Sequence, residues 1–267
     1  MIVFQSGLAL VSGTDLNADS PVVGYANKVT TGNVAATTAQ ANYPATNLAN
    51  PATHLFWKGN AATATEDLII SGLTGTSDYV GIAKHNFGTA GIVVTLAGST
   101  DGSTYTTLAT HTPTTDLPIM FLVAAAAYTN FRIRLTVGAT KPQAAVVYCG
   151  EALRFQRRIY VGHTPITLGR RITKMIGRSQ SGNYLGNVVI GEDRATSVAL
   201  QNLTASWYRA YMDPFVVAAQ TAPFFFAWRP TSYPSEIGYA WLGSDPVPSN
   251  QRANGMLQID LQLVGVA

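Results

Sequence analysis

Residues 223–242, PFFFAWRPTSYPSEIGYAWL, place seven aromatic side chains (Phe224, Phe225, Phe226, Trp228, Tyr233, Tyr239 and Trp241) in twenty positions, in a chain that is 10% aromatic. A packed ring buries about 150–250 Å², so this stretch requires a core. Pro223, Pro230 and Pro234 bound two short extended segments, 224–229 and 237–242, around a Thr231-Ser232-Tyr233-Pro234 turn. The stretch therefore reads as a β-hairpin. Period-two alternation puts Phe224 and Phe226 on one face and Phe225 on the other. The first pair is expected to wedge between a helix and the sheet. Phe225 and Trp228 are then left for a neighbouring subunit.

The helix comes just before the hairpin. Asn202 or Thr204 can cap it, and Leu203, Trp207, Ala210 and Tyr211 lie at helical spacing, which predicts a helix over about 203–219. Asp213-Pro214 resembles an N-cap followed by proline at the first helical position, so a kink or a second short helix is expected there. After the hairpin, residues 256–263 alternate, with Leu257, Ile259, Leu261 and Leu263 on the buried side.

Upstream, short β-rich runs recur between Gly, Asn and Asp turns: 65–73, 79–84, 91–97, 105–110, 130–137 and 144–149. In 130–137, Phe131, Ile133, Leu135 and Val137 face one way and Arg132, Arg134 and Thr136 the other, the pattern of a half-buried antiparallel strand. Asp101-Gly102 is a strong hairpin signal. Residues 172–178, 187–190 and 196–200 read as strands broken by glycines, and 2–4 and 7–11 as short strands. The fold class is mainly β: an N-terminal jelly-roll sandwich and a C-terminal β-barrel or sandwich with one flanking helix.

Charge divides the chain. Only 12% of residues are charged, against about a quarter in a typical soluble chain, so part of the surface is expected to be hidden in an assembly. Residues 1–150 carry six basic and seven acidic groups, and residues 151–267 eleven and seven. Between 152 and 191 there are seven basic residues and no acidic one. This sets a domain boundary near 150, giving domains 1–150 and 151–267. The one cysteine, Cys149, has no disulfide partner and reads as a small buried hydrophobe. The longest apolar segment, 117–128, contains Pro118 and is too short to cross a bilayer. The first residues lack the basic start of a signal peptide.

Two resemblances follow from ordered motifs. Ala45-Thr46-Asn47-Leu48, Pro51-Ala52-Thr53, Trp57, the run from Ser99 to Leu108, and Phe131 to Leu135 resemble the discoidin, or galactose-binding-like, domain over about residues 40–150. That resemblance implies a jelly-roll sandwich whose end loops bind sugars or lipid head groups in many members. In the second half, Ser206-Trp207-Tyr208-Arg209-Ala210, the 223–230 run, Tyr233-Pro234, Gly238-Tyr239 and the closing 255–263 strand resemble phage tail or baseplate proteins of the distal-tail kind. That implies a ring-forming unit. The order here is reversed, since distal tail proteins place the ring-forming part first.

Catalytic signals are absent. His54, His85, His111 and His163 share no metal-ligand spacing, and Asp78, Asp101 and Asp116 form no helix-loop-helix calcium loop. Glu66-Asp67 and Glu192-Asp193 are adjacent on strands and so point to opposite faces. No cofactor is expected, and no catalytic or metal residue. In the sandwich, His54, Trp57, Lys58 and Asn60 combine an aromatic ring with polar loop groups, as a glycan site would, although Trp57 better suits the role of a plug at the sandwich end. In the basic segment, Arg154, Arg157, Arg158, Arg170 and Arg171 suit a subunit interface with an acidic neighbour or a solvated face. The expected function is structural: a non-enzymatic virion component of a tail tip or baseplate, assembled in the host cytoplasm. It would form a ring with copies of itself, meet other tail proteins, and turn an outward sandwich to host polysaccharide, without membrane or nucleic-acid contact. The alternative is a stand-alone carbohydrate-binding protein of the discoidin type.

Overall fold

The computed structural model describes residues 1–8, 19–61, 64–136, 138–159, 161–251, 253 and 255–266. From residue 9 onward the expected strand at 7–11 lies outside them, as does Val137.

Among the described residues the fold is mainly β, with three sheets, a short 3-10 helix at Ala45–Ala49 and one longer helical segment. The first sheet runs Val34–Ala36, Glu66–Ile70, Asn130–Thr136, Val93–Ser99, Thr106–His111 in spatial order. The second runs Ile2–Phe4, Ile119–Ala126, Ser77–His85, Gln143–Gly150, Trp57–Lys58. These two form a β-sandwich around a core that includes Leu48, Trp57, Leu68, Phe121, Phe131 and Val147.

The third sheet runs Leu153–Arg154, Val22–Gly24, Phe224–Ala227, Ile237–Leu242, Leu257–Val266, Tyr184–Leu203, Arg170–Arg178, with Ser249–Asn250 paired beside the closing strand. Among the described residues no pairing closes it into a barrel. Chain order and layer order part company at Val22–Gly24, which leaves the first 150 residues to pair with Phe225–Ala227.

The layers stack as sheet, sheet, sheet, helix. The second sheet is covered on both sides. Its outer face (Tyr79, Ala83, Met120, Leu122, Ala145, Val146 and Tyr148) packs on Phe225, Ala227, Ile237 and Tyr239 of the third sheet. This explains two runs without alternation, residues 119–123 and 144–149, where successive residues are buried whichever way they point. The third sheet's opposite face (Val23, Leu200, Phe224, Phe226, Ile259, Leu261 and Leu263) takes the helix.

The helix spans 205–219 and carries a π turn at Tyr208–Met212, just before Asp213–Ala219. Pro214 explains it. Proline has no N–H to give the preceding turn and its ring crowds the carbonyl four residues back, and a widened turn relieves both. The extra residue shifts the buried face. Tyr208, Met212, Phe215, Val216 and Ala219 are buried, while Tyr211 is 54% exposed. The expected contact holds in part: Trp207 is half-buried against the core that contains Phe224 and Phe226, whereas Tyr211 is corrected, lying outside against Trp207, and Phe215 meets Phe224 edge-on at 4.9 Å.

Close approach of the second and third sheets depends on Gly81. A Cβ there would come within 2.6 Å of the Phe225 ring, itself fully buried. Gly81→Ala is expected to destabilise the protein by about 1–3 kcal/mol through overpacking, read by denaturant titration. An unchanged midpoint would contradict this packing.

Candidate functional site

The expected glycan residues do not form an open aromatic platform. Trp57 is fully buried, and its indole Nε1–H donates to the Thr38 carbonyl at 2.8 Å. Thr38 N–H donates to the Glu66 carboxylate at 3.1 Å, and Asn60 N–H donates to Thr38 Oγ1 at 2.9 Å. The indole therefore belongs to the sandwich core and its polar neighbours tie the loop down; the expectation that Trp57 contacts a ligand is corrected. His54 and Asn60 are exposed and Lys58 is half-buried. The surface pair nearby is Tyr43 stacked on Phe56 at 4.7 Å.

The sandwich carries a different groove, of about 490 Å³, beside the Asp101 turn and lined by Gln5, Ser99, Thr100, Asp101, Thr104 and Tyr128 among others. Asp101 Oδ1 accepts from Ser99 Oγ, Ser103 N–H and Thr104 N–H at 2.7–2.8 Å. Those bonds, led by the Thr104 and Ser103 amides, hold its carboxyl well below the usual carboxylate range. Next to the turn, Arg132 lies over the Tyr105 ring at 4.4 Å, and Asn130 Nδ2 donates to the Tyr105 hydroxyl at 3.3 Å.

The carboxylate pairs are split as their spacing requires. Glu66 is buried toward Thr38, while Asp67 pairs bidentately with Arg134, both contacts at 2.8 Å. No group of three His, Cys, Asp or Glu side chains able to hold a metal occurs among the described residues. Burial pushes the Cys149 thiol up to about 12, which removes its nucleophilicity. No helix among the described residues is long and apolar enough to cross a membrane.

The expected interface residues separate. Phe225 is fully buried against Tyr148 and Tyr239, at 5.7 and 5.1 Å between ring centres; its assignment to a neighbouring subunit is corrected, because the sandwich of its own chain takes that face. Trp228 is half-buried, stacked on Tyr233 at 5.5 Å, and donates to the Glu236 carboxylate. Arg154 lies on the sheet-edge strand beside Val22. Arg157 Nε donates to the Asn202 carbonyl at 3.2 Å, and Arg158 approaches Asp19 at 3.9 Å. Burial works to raise the Asp19 pKa, but the Ser232 and Arg229 bonds outweigh it and keep it lowered. Arg170 and Arg171 are elsewhere, at the base of a projecting ribbon.

That ribbon is what sequence reading missed. Arg170–Arg178 pairs with the first half of Tyr184–Leu203. The neighbouring strand Leu257–Val266 starts to pair only at Arg194, opposite Gly265. Residues 170–193 thus run off the sheet as two strands alone, roughly 30 Å long at about 3.3 Å per residue. All nine residues of Arg170–Arg178 are exposed. Ile172, Met175, Ile176, Tyr184, Leu185, Val188, Val189 and Ile190 stand in the open, Leu185 at 68%. The base is clamped by Arg171 to Asp193, at 2.7 and 2.6 Å, and by Arg194 to Glu192 at 3.1 Å. Beyond it, residues 173–191 hold Lys174 and Arg178 and no carboxylate. The available signal is a strand-forming run that continues through glycines, which locally look like breaks.

Solved structures similar to just under half of this chain include three sugar-binding modules. Chitosan-binding module 1 from a Paenibacillus chitosanase/glucanase is 18% identical, over 46% of this chain and 98% of that one, with a TM-score of 0.40. A Clostridium perfringens CBM32 module in complex with GalNAc-β-1,3-galactose is 12% identical, over 45% and 96%, with a TM-score of 0.41. The CBM32 module of AlyQ in complex with 4,5-unsaturated mannuronic acid is 16% identical, over 47% and 95%, with a TM-score of 0.38. No family model matches the sequence, and no curated protein matches it.

One buried titratable group gives the fold a pH dependence. His85 Nε2–H donates to the Leu117 carbonyl at 2.9 Å, and Nδ1 accepts from Phe87 N–H at 3.2 Å. Protonating Nδ1 would break the second bond, and burial lowers the imidazole from 6.5 to about 4. Burial also lowers His111 and His163. The unfolded chain therefore takes up protons that the folded chain does not. Stability should fall as pH drops from about 6.5 to about 4, with His85 contributing about 3 kcal/mol. Melts across that range check this; a His85→Asn variant with the same slope as wild type would contradict it.

Proposed function

We propose that this chain is a structural subunit that works in several copies, joined through its third sheet and ribbon, with the sandwich turned outward as a contact module. A phage tail tip or baseplate is the setting we favour, with copies of the chain, other tail proteins and a host polysaccharide as partners. The observation that carries the reading is the ribbon. An isolated two-stranded hairpin is marginal in water, and free strand edges are normally blunted or covered. This one bears apolar side chains along its exposed length, which marks an interaction surface. The low charge content, 12%, agrees with a surface that is partly covered in use. Light scattering on the purified full chain should show a multimer. Val188→Glu with Leu185→Glu should give a monomer that melts as wild type does, since both side chains are exposed. A wild-type monomer throughout the micromolar range would sink the reading.

A second reading, glycan binding by the sandwich, is supported by the polar groove at the Asp101 turn and the Tyr105 ring beside it. Chitosan and GalNAc-β-1,3-galactose, the ligands named for similar modules, are suitable probes. Binding to either that is lost in Tyr105→Ala would establish it. Absence of binding to a broad glycan array would discard it.

A further inference from the structure

The third sheet is covered unevenly on its sandwich side. Register places Phe225, Tyr239, Trp241, Val264, Gln262 and Asp260 on one face, because Tyr239 pairs with Val266 and Trp241 with Val264, and the face then continues along the closing strand. Phe225 and Tyr239 lie under the second sheet, fully or almost fully buried. Past them the cover ends. Trp241 is 38% exposed, Val264 is half-buried, and Asp260 and Gln262 are exposed. On the next strand, Ser197 lies opposite Gln262 and Ala199 opposite Asp260. On this half of the face every one of these side chains keeps part of its surface in solvent. It is a shallow strip with an apolar end at Trp241 and Val264 and a carboxylate at Asp260; a second carboxylate, Asp245, is exposed in the adjoining loop.

We infer that the ribbon of one copy lies across this bare half-face in a second copy, its apolar residues over Trp241 and Val264 and its Lys174 and Arg178 toward Asp260 and Asp245. The inference rests on the assembly reading and names the surface that reading leaves open. Complementarity supports a second copy as the occupant. The outer ribbon is apolar and cationic without a carboxylate, while the strip is apolar and anionic. Each surface is uncovered within its own chain, and the chain carries one of each. Donor and acceptor are different patches, so the contact is heterologous, and complementary charge sets its register more than its strength.

Charge reversal tests it in the full-length chain. Lys174→Glu with Arg178→Glu should weaken self-association at least about tenfold, read by analytical ultracentrifugation. Asp260→Lys with Asp245→Lys should weaken it similarly, and the four changes in one chain should restore it. All four side chains are exposed, so melting temperatures should stay close to wild type. A wild-type multimer unaffected by Asp260→Lys with Asp245→Lys overturns the docking surface and leaves the assembly reading standing. A wild-type monomer overturns both. A wild-type monomer that sediments with phosphatidylserine vesicles makes an anionic bilayer the occupant and likewise overturns the inference.

Discussion

The contact between Phe225 and the pair Tyr148 and Tyr239 joins the two halves of this chain. Phe225 is fully buried at the junction of the second and third sheets, with Gly81 opposite it so that the ring can seat. Its neighbours Phe224 and Phe226 point the other way, into the helix-covered core. One three-residue aromatic run thus fastens a sheet on both faces. Removing that packing would expose apolar surface on two layers at once, since each ring buries about 150–250 Å². Polar groups at the same boundary are satisfied: the Tyr239 hydroxyl donates to the Pro51 carbonyl at 2.8 Å, and the Tyr79 hydroxyl to the Ala26 carbonyl at 2.8 Å.

Much of this was legible in the residues, for identifiable reasons. Strands with one wet face announce themselves, as in Asn130–Thr136 and Leu257–Val266, where burial alternates. The Asp101 turn is local chemistry and needs no tertiary context. What could not be read depends on partners far along the chain. A strand covered on both faces loses its period, so residues 119–126 read only as an apolar run. Val22–Gly24 is too short to signal its place beside Phe226. The helix was placed within two residues, but its buried face was legible only as far as Trp207, because the π turn before Pro214 shifts the phase beyond it. Trp57 shows the limit for the site: an aromatic residue among polar loop residues has the same composition whether it contacts a sugar or closes a core.

The same layering explains why the remaining surface is unusual. With the sandwich on one side and the helix on the other, the third sheet has cover only along part of its length. The ribbon at its edge and the strip around Trp241 are what that cover leaves bare. A fold that fully buries Phe224, Phe225 and Phe226, yet leaves eight large apolar side chains on a two-stranded ribbon in water, is consistent with the proposed assembly. Its low charge content points the same way.

The central claim, that the ribbon finds its partner in another subunit, is tested most directly by hydrogen exchange followed against protein concentration. The account predicts that amides of 170–178 and 184–190 exchange fast in dilute solution and become protected as the multimer forms, while those of 224–227 stay protected throughout. Fast exchange of the ribbon amides inside a demonstrated multimer, or protection that does not depend on concentration, would contradict it.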